Sequence, residues 1–345
     1  MATITSFVYE LFDILGSYLE EFLFPCFIAF LLGSTVLGFF LLTKGGDLLS
    51  DYCSIFAEKL GVPPVIIGLT IVSVATSAPE LFTSIAAINS SAGGLVLGNI
   101  TGSNVANIGL ILGISLLIKP ISTHNAVAPQ QLIILAVATF GFSCAIGFNQ
   151  NSELGMLTGL LLILFIISYL LGLCITSLKK RSQLPASIGD SEKERPSLFI
   201  VIIMIFVGGI LLWMGSESLV YGSKNLAELA NVPSELIGFT LIAIGTSLPE
   251  LAASISLLKK DETQMLLGNI IGSNIFNIGL VGGVAGILGP IESESPYPWI
   301  DHSSMIIFTL ILIFWMRGKN LSFKNGLILL VLYFFASLTT WVANS

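Results

Sequence analysis

Charge is scarce in this sequence. Lys, Arg, Asp and Glu together make up 10% of its 345 residues, against roughly 25% in an ordinary soluble domain. Histidine is scarcer: only His124 and His302 are present, and both read as loop residues. That excludes zinc chemistry built on clustered His and Cys ligands. The four cysteines, Cys26, Cys53, Cys144 and Cys174, stand singly, with neither metal-cluster nor redox-pair spacing. They read as small apolar residues of helices. The first 21 residues carry Glu10, Asp13, Glu20 and Glu21 but no basic residue. They lack the positive n-region of a signal peptide, and 1–22 reads as an N-terminal amphipathic extension. Long polar stretches are also rare. The longest, "KKRSQLPASIGDSEKERPS" at 179–197, is too short to fold as a domain and reads as a linker.

What is abundant is apolar. The mean hydropathy is +0.94, and several runs exceed the ~20 residues needed to cross a ~30 Å hydrocarbon core. The chain therefore reads as an all-α integral membrane protein. Ten spans are expected near 23–44, 63–88, 93–118, 129–148, 153–178, 198–223, 233–258, 264–288, 299–317 and 321–342, separated by Pro, Gly and charge. Basic residues orient them. With both termini outside, all of the 14 Lys and Arg except Lys224 fall at cytoplasmic loops or span ends, a strong positive-inside bias. The 179–197 linker is then cytoplasmic, and the expected membrane is the plasma, or inner, membrane. The linker divides two five-helix repeats, 23–178 and 198–345.

The halves are copies. At an offset of 170, about 25 of the 60 positions in 61–120 are identical to their counterparts, many of them polar, Gly or Pro. "GNITGSNVANIG" at 98–109 matches "GNIIGSNIFNIG" at 268–279, and "TSAPEL" at 76–81 matches "TSLPEL" at 246–251. Each half has an odd number of spans, so the second enters the membrane inverted. Inverted repeats interrupted at matching places point to a midplane binding site.

The duplicated hexapeptide is costly in such a setting. Pro79 has no N–H and clashes with the carbonyl four residues back, so its helix kinks or breaks and carbonyls near Ala75 are freed. A carboxylate at mid-span, as at Glu80, costs roughly 2.5–3.5 kcal/mol. "Ser77-Ala-Pro-Glu80" also fits a capping box that restarts a helix, and one copy alone leaves the two readings open. Two copies at matched places favour a site. Asn99, Ser103 and Asn107 share one helix face, as do Asn269, Ser273 and Asn277; the alternative for this stripe is helix-packing glue. Two carboxylates, the hydroxyls of Thr76, Ser77, Thr246 and Ser247, amides and freed carbonyls form an all-oxygen set. Such a set suits hard cations, Ca²⁺ above all, with Na⁺ competing for the same oxygens.

These paired "TSxPE" and "GNxxGSNxxNI" segments resemble the two repeats of the Ca²⁺/cation antiporter superfamily, and the bacterial Na⁺/Ca²⁺ exchangers most of all. The resemblance implies two inverted-topology five-helix repeats whose second, third, seventh and eighth helices hold Ca²⁺ and Na⁺. It makes Glu80 and Glu250 the paired central ligands. It places Thr76, Ser77, Thr246, Ser247, Ser103, Asn107, Ser273 and Asn277 at the other liganding positions, and it makes the first and sixth helices long, tilted and sliding. Two departures stand out. Ala75 replaces the glycine of the family's "GTS", and Asn277 stands where K⁺-dependent members carry Asp, which leans against K⁺ coupling. Asp47 and Glu217, also 170 apart, read as interfacial residues.

The expected function is alternating-access exchange of Ca²⁺ for Na⁺. The transported ions and the lipid bilayer are the expected partners, with no organic cofactor, nucleic acid or obligatory protein partner. The alternatives are H⁺/Ca²⁺ exchange, with the carboxylates as proton carriers, and, less favoured, a passive cation channel. An intramembrane enzyme fails for want of a nucleophile–base pair or an HExxH motif, and a purely structural protein would not need two carboxylates at depth.

Overall fold

A computed structural model describes residues 2–89, 94–147, 153–181, 196–230, 245–292, 298–318 and 320–344. Most of the 179–197 linker and the first half of the seventh span therefore lie outside the described residues. Eight described helices are long and apolar enough to cross a membrane: Phe24–Leu60, Pro64–Asn89, Leu95–Ile118, Pro129–Ile146, Met156–Ser177, Leu198–Leu229, Thr263–Leu288 and Phe323–Ala343. Trp299–Trp315 is a shorter apolar helix, and Leu248–Lys259 is the described part of the seventh span. In chain order they make the ten expected spans, numbered first to tenth below.

Two expectations change. The first span was placed at 23–44, but one helix runs from Ala2 to Leu60, continuous with the N-terminal extension. Gly45 and Gly46 do not end it, because each is a contact point rather than a turn. A Cβ on Gly45 would lie 2.7 Å from the Leu212 nitrogen, and one on Gly46 2.8 Å from the Ala252 carbonyl oxygen. The apolar part, Phe24–Leu60, has 37 residues and is ~55 Å long at ~1.5 Å per residue, well beyond a ~30 Å core. Such a helix must tilt. The second correction concerns His302. It is not in a loop but inside the ninth helix, Pro298–Trp315, and 2% exposed. Its Nδ1 is 3.3 Å from the Ser143 hydroxyl, and its ring lies against Phe142.

The first and sixth helices form an extended pair built on glycine. A Cβ on Gly38 would lie 2.4 Å from the Leu219 nitrogen, and one on Gly208 would lie 2.9 Å from that of Leu49. Both residues of the second contact sit 170 positions from those of the first. The Gly45–Leu212 contact has the same relation to the contact between Gly215 and the Leu42 nitrogen, at 2.6 Å. Small residues let the two backbones touch, and the touching points obey a two-fold relation.

The same pseudo-two-fold relates the rest of the molecule. The Thr139 and Thr309 hydroxyls, 170 residues apart, meet at 3.4 Å, which puts the axis between them. At one end of the bundle, Ile121–Ser122 pairs antiparallel with Asn320–Leu321; at the other, Glu153–Leu154 pairs with Ile291–Glu292. Ile121 is the repeat counterpart of Ile291, so each half contributes the same strand to a clasp on the other. Both pairings join loops separated by an even number of spans, as ten crossings require. The Lys119–Asp261 ion pair obeys the same parity. The molecule is thus an all-α membrane fold of two inverted five-helix repeats, its core formed by the third and eighth helices.

Candidate cation site

The first hexapeptide interrupts its helix at Ser77, and in the second a turn at Thr246 and Ser247 precedes the helix from Leu248. Ser77 leaves helical geometry at φ −87° and ψ 5°, and Ser247 does so at φ −88° and ψ 2°. The helix resumes at once, with Leu81 N–H donating to the Ser77 carbonyl at 3.3 Å and Leu251 to Ser247 at 3.1 Å. Proline at the first turn explains the quick restart. The interruption is a tight kink rather than an unwound stretch.

The capping box is not what holds these kinks. Ser247 makes no side-chain cap, and the Ser77 hydroxyl instead crosses to the other repeat, donating to Glu250 Oε1 at 3.0 Å. Each glutamate carboxylate accepts from its own main-chain N–H, and the two carboxylates are close enough to interact electrostatically. Glu80 and Glu250 are each 1% exposed. No ion pair with either occurs among the described residues, and Glu80 Oε2 and Glu250 Oε2 have no hydrogen-bond partner among them. Two close, buried, uncompensated carboxylates are a strongly unfavourable arrangement for a protein alone.

The third and eighth helices complete the surroundings. Each turns into a π-helical segment at the predicted asparagine: Asn107–Leu112 in one and Asn277–Val281 in the other. Single π turns within α-helices recur at functional sites, and the sequence shows no sign of these beyond glycine two residues on. Ser103, Asn107, Ser273 and Asn277 are all buried. Both amide atoms of Asn277 lack a described partner, as does the Ser247 hydroxyl. Asn107 Nδ2 donates to Asn274 Oδ1 at 3.2 Å, so its carbonyl oxygen is the atom left for a cation. The Ser103 and Ser273 hydroxyls lie 3.5 Å from Asn99 Oδ1 and Asn269 Oδ1, one turn away.

Nine of the ten predicted residues are thus buried on the four central helices around the two kinks. Thr76 is among them, donating to Asn269 Oδ1 at 3.3 Å. Thr246, half-buried, is the exception. Sequence reasoning missed Asn104 and Asn274. Both sit in the duplicated "GSN", and their repetition at offset 170 was the available signal. The donor set is all oxygen and anionic, which fits a hard divalent cation or competing Na⁺.

Comparison with known proteins agrees. The sodium/calcium exchanger protein family matches residues 30–175 and 200–342. The sodium/calcium exchanger MaX1 of Methanosarcina acetivorans is 33% identical over 335 residues, covering 86% of this chain and 95% of that protein. The inner membrane protein YrbG of Escherichia coli is 31% identical, covering 83% and 89%. A structure of the sodium-calcium exchanger NCX_Mj soaked without Na⁺ and Ca²⁺ superposes with a TM-score of 0.77 at 29% identity, covering 90% of this chain and 99% of that one. A two-fold repeat, kinked helices that meet at buried carboxylates and matches along both halves lead to one assignment: the chain belongs to the sodium/calcium exchanger protein family, and it is a membrane transporter rather than an enzyme.

Proposed function

We propose that this chain exchanges Na⁺ for Ca²⁺ across the cell membrane by alternating access, with the ions held between Glu80 and Glu250. The observation that carries the proposal is the pair of fully buried carboxylates with no described cationic side chain to balance them. A divalent ion supplies the missing charge, and several Na⁺ can replace it. Thr76, Ser77, Thr246, Ser247, Ser103, Asn107, Ser273 and Asn277 would supply neutral oxygens. The relatives named as sodium/calcium exchangers support the choice of ions.

In this reading both termini face outside, the membrane is the plasma or inner membrane, and 179–197 is a cytoplasmic linker between the repeats 23–178 and 198–345. The basic residues therefore mark the cytoplasmic end. At that end the second and eighth helices meet backbone to backbone. A Cβ on Gly68 would lie 2.2 Å from the Met265 carbonyl oxygen, and one on Gly268 would lie 2.4 Å from that of Val65. This supports a conformation closed between these two helices at the cytoplasmic end.

The test is Ca²⁺ uptake into proteoliposomes. An imposed Na⁺ gradient should drive it, and Glu80→Gln or Glu250→Gln should reduce it to background. Flux that ignores Na⁺ and follows a pH gradient would overturn the Na⁺ coupling, and large unitary currents would overturn exchange itself.

A further inference from the structure

The pseudo-two-fold axis makes a demand on the site that the described conformation meets only by half. Three hydrogen bonds join polar groups around the kinks. Ser77 donates to Glu250, Asn99 Nδ2 donates to the Ser84 hydroxyl at 3.0 Å, and Asn107 Nδ2 donates to Asn274 Oδ1. Moving every residue by 170 positions gives three mirror bonds: Ser247 to Glu80, Asn269 to Ser254, and Asn277 to Asn104. None of these is made. The groups that would make them are the Ser247 hydroxyl, Glu80 Oε2, Asn269 Nδ2, the Ser254 hydroxyl, Asn277 Nδ2 and Asn104 Oδ1, and all six are buried without a described partner.

A buried polar group without a partner is unfavourable, and native proteins keep few of them. Nine buried polar atoms lack a partner among the described residues; these six coincide with the mirror images of made bonds, and the other three, Glu250 Oε2, Asn274 Nδ2 and Asn277 Oδ1, belong to the same residues or their counterparts. Local contacts account for the asymmetry. Asn269 Oδ1 receives the Thr76 hydroxyl, and the Asn269 carbonyl receives the Ser73 hydroxyl at 3.1 Å. Those contacts belong to the closed face between the second and eighth helices, and they turn Asn269 away from Ser254. Asn104 is likewise drawn outward, donating to Met305 Sδ at 3.3 Å.

We propose that Ser84 with Asn274, and Ser254 with Asn104, are two alternating sets of positioning residues for the liganding amides. In the described conformation Asn274 holds the nitrogen of Asn107, so that its oxygen faces the ion, and Ser84 with the Glu80 carbonyl holds the nitrogen of Asn99, whose oxygen lies 3.5 Å from the Ser103 hydroxyl. In the opposite conformation Asn104 holds Asn277, Ser254 holds Asn269, and the first set is released. The exchange lets the site present amide oxygens on either side of the transition while roughly conserving the number of satisfied groups. It couples ligand orientation to which end is closed. The proposal rests on the cation-site reading above.

The experiment uses the purified full chain in detergent. Hydrogen–deuterium exchange would be compared between residues 94–106 and 263–276, the counterpart segments that carry the two amide sets, and Ca²⁺ binding measured by calorimetry. Asn274→Leu removes a made bond. It should narrow the exchange contrast and weaken Ca²⁺ binding about 10- to 100-fold, the usual loss when a residue orienting a metal ligand is removed. Asn104→Leu removes an unmade bond and should leave the contrast equal or larger. A shift in the same direction for both variants, or none for Asn274→Leu, overturns the proposal. Should Asn274→Leu misfold, Asn274→Ser keeps a hydroxyl acceptor and is judged by the same contrast. Placing Asn274→Leu in an Asn107→Asp background gives an independent reading. A carboxylate presents oxygen whichever way it is turned, so the Leu change should add little there, and a full additive loss overturns the positioning role. Glu80→Gln separates the two readings: retained Ca²⁺ binding refutes the cation site, whereas lost binding with an unmoved exchange contrast in Asn274→Leu refutes only this proposal.

Discussion

The two kinks have nearly the same backbone angles but different neighbours. Ser77 and Ser247 agree within a few degrees, whereas one residue lies two positions earlier as Ala75 and the other as Gly245. Across from Ala75 the sixth helix has Gly209, whose added Cβ would sit 3.5 Å from the Ala75 methyl. Across from Gly245 it has Val220, and a Cβ on Gly245 would lie 2.6 Å from Val220 Cγ2. The Ser216 hydroxyl also donates to the Gly245 carbonyl at 2.6 Å, and Gly46, the counterpart of Ser216, has no side chain to do the same. A Cβ in the second copy would therefore press on Val220, whereas the Ala75 methyl of the first copy is accommodated beside Gly209. Duplication preserved the geometry of the kink, while the surroundings diverged.

The largest expected effect asks whether the copies are equal at the centre. Glu80→Gln and Glu250→Gln each remove half the charge facing a divalent ion. Since carboxylate count sets Ca²⁺ affinity over several decades, each should weaken Ca²⁺ binding by ~100-fold or more in calorimetry. Equal losses fit a shared site. A variant that keeps near-native binding would show that one carboxylate lies outside it, whatever the symmetry.

Next in size is the close contact between the second and eighth helices, set against the kinks. Gly268→Ala places a methyl within 2.4 Å of the Val65 carbonyl oxygen, and backbone on both sides leaves little room to relax. Overpacking of that kind is typically destabilising by ~1–3 kcal/mol, so thermal unfolding in detergent should occur at lower temperature. Ca²⁺ flux should fall as well, because the proposed alternating access requires the second and eighth helices to separate at this contact. A Gly268→Ala transporter with native flux would count against that separation.

Much of this was legible in the sequence, for a physical reason. The ten spans, the inverted repeat, the kinks and the two glutamates are written in local signals: apolar run length, proline, charge and identity at a fixed offset. What escaped depends on tertiary contact. Gly45 and Gly46 look like a helix end, yet they are the points where the first helix touches the sixth and seventh. His302 looks like a loop residue beside "ESESPYP", yet Pro298 starts a helix that buries it against Ser143. Ser77 fits a capping box by spacing alone, and only the crossing of the second helix against the seventh gives its hydroxyl a carboxylate as partner. The mirror bonds were invisible for the same reason, since a repeat shows what is duplicated but not which copy is engaged.

A smaller effect is expected where the copies differ most in sequence. At the basic end of the bundle, Lys260 pairs with Asp51 at 2.7 Å and donates to the Asp47 carbonyl and the Ser50 hydroxyl, while the Ser256 hydroxyl donates to Asp47 Oδ1 at 2.8 Å. Asp47 is thus part of a cluster tying the first helix to the seventh rather than a lone interfacial residue. The counterparts of Asp47, Ser50, Asp51 and Ser256 are Glu217, Val220, Tyr221 and Ala86, which cannot rebuild it. The cluster therefore stabilises one conformation with no mirror equivalent. Asp51 is more than half exposed, so the ion pair contributes at most ~1 kcal/mol. Lys260→Met should accordingly alter exchange rate only by a few-fold. The measurement is Ca²⁺ flux at low and high ionic strength: wild-type rates should approach those of the variant as salt screens the pair. A salt response identical in both proteins would remove the cluster from any role in the transition.

The smallest effect belongs to the kink itself. Ala75→Gly restores the second copy's residue in the first. It removes one methyl that rests 3.5 Å from the position of a Gly209 Cβ, and it lowers helix propensity by ~1 kcal/mol. Gly209 leaves space there, so no clash is relieved, and unfolding should shift slightly downward with exchange nearly native. The reverse change, Gly245→Ala, should be clearly worse, because Val220 must rotate and the Ser216 hydrogen bond holds the carbonyl in place. If the two substitutions were equally mild, the divergence at this position would reflect drift rather than the shape of the opposing helix. If Ala75→Gly instead raised the exchange rate substantially, Ala75 would be a brake on the first kink, and the copies would differ in stiffness as well as in surroundings.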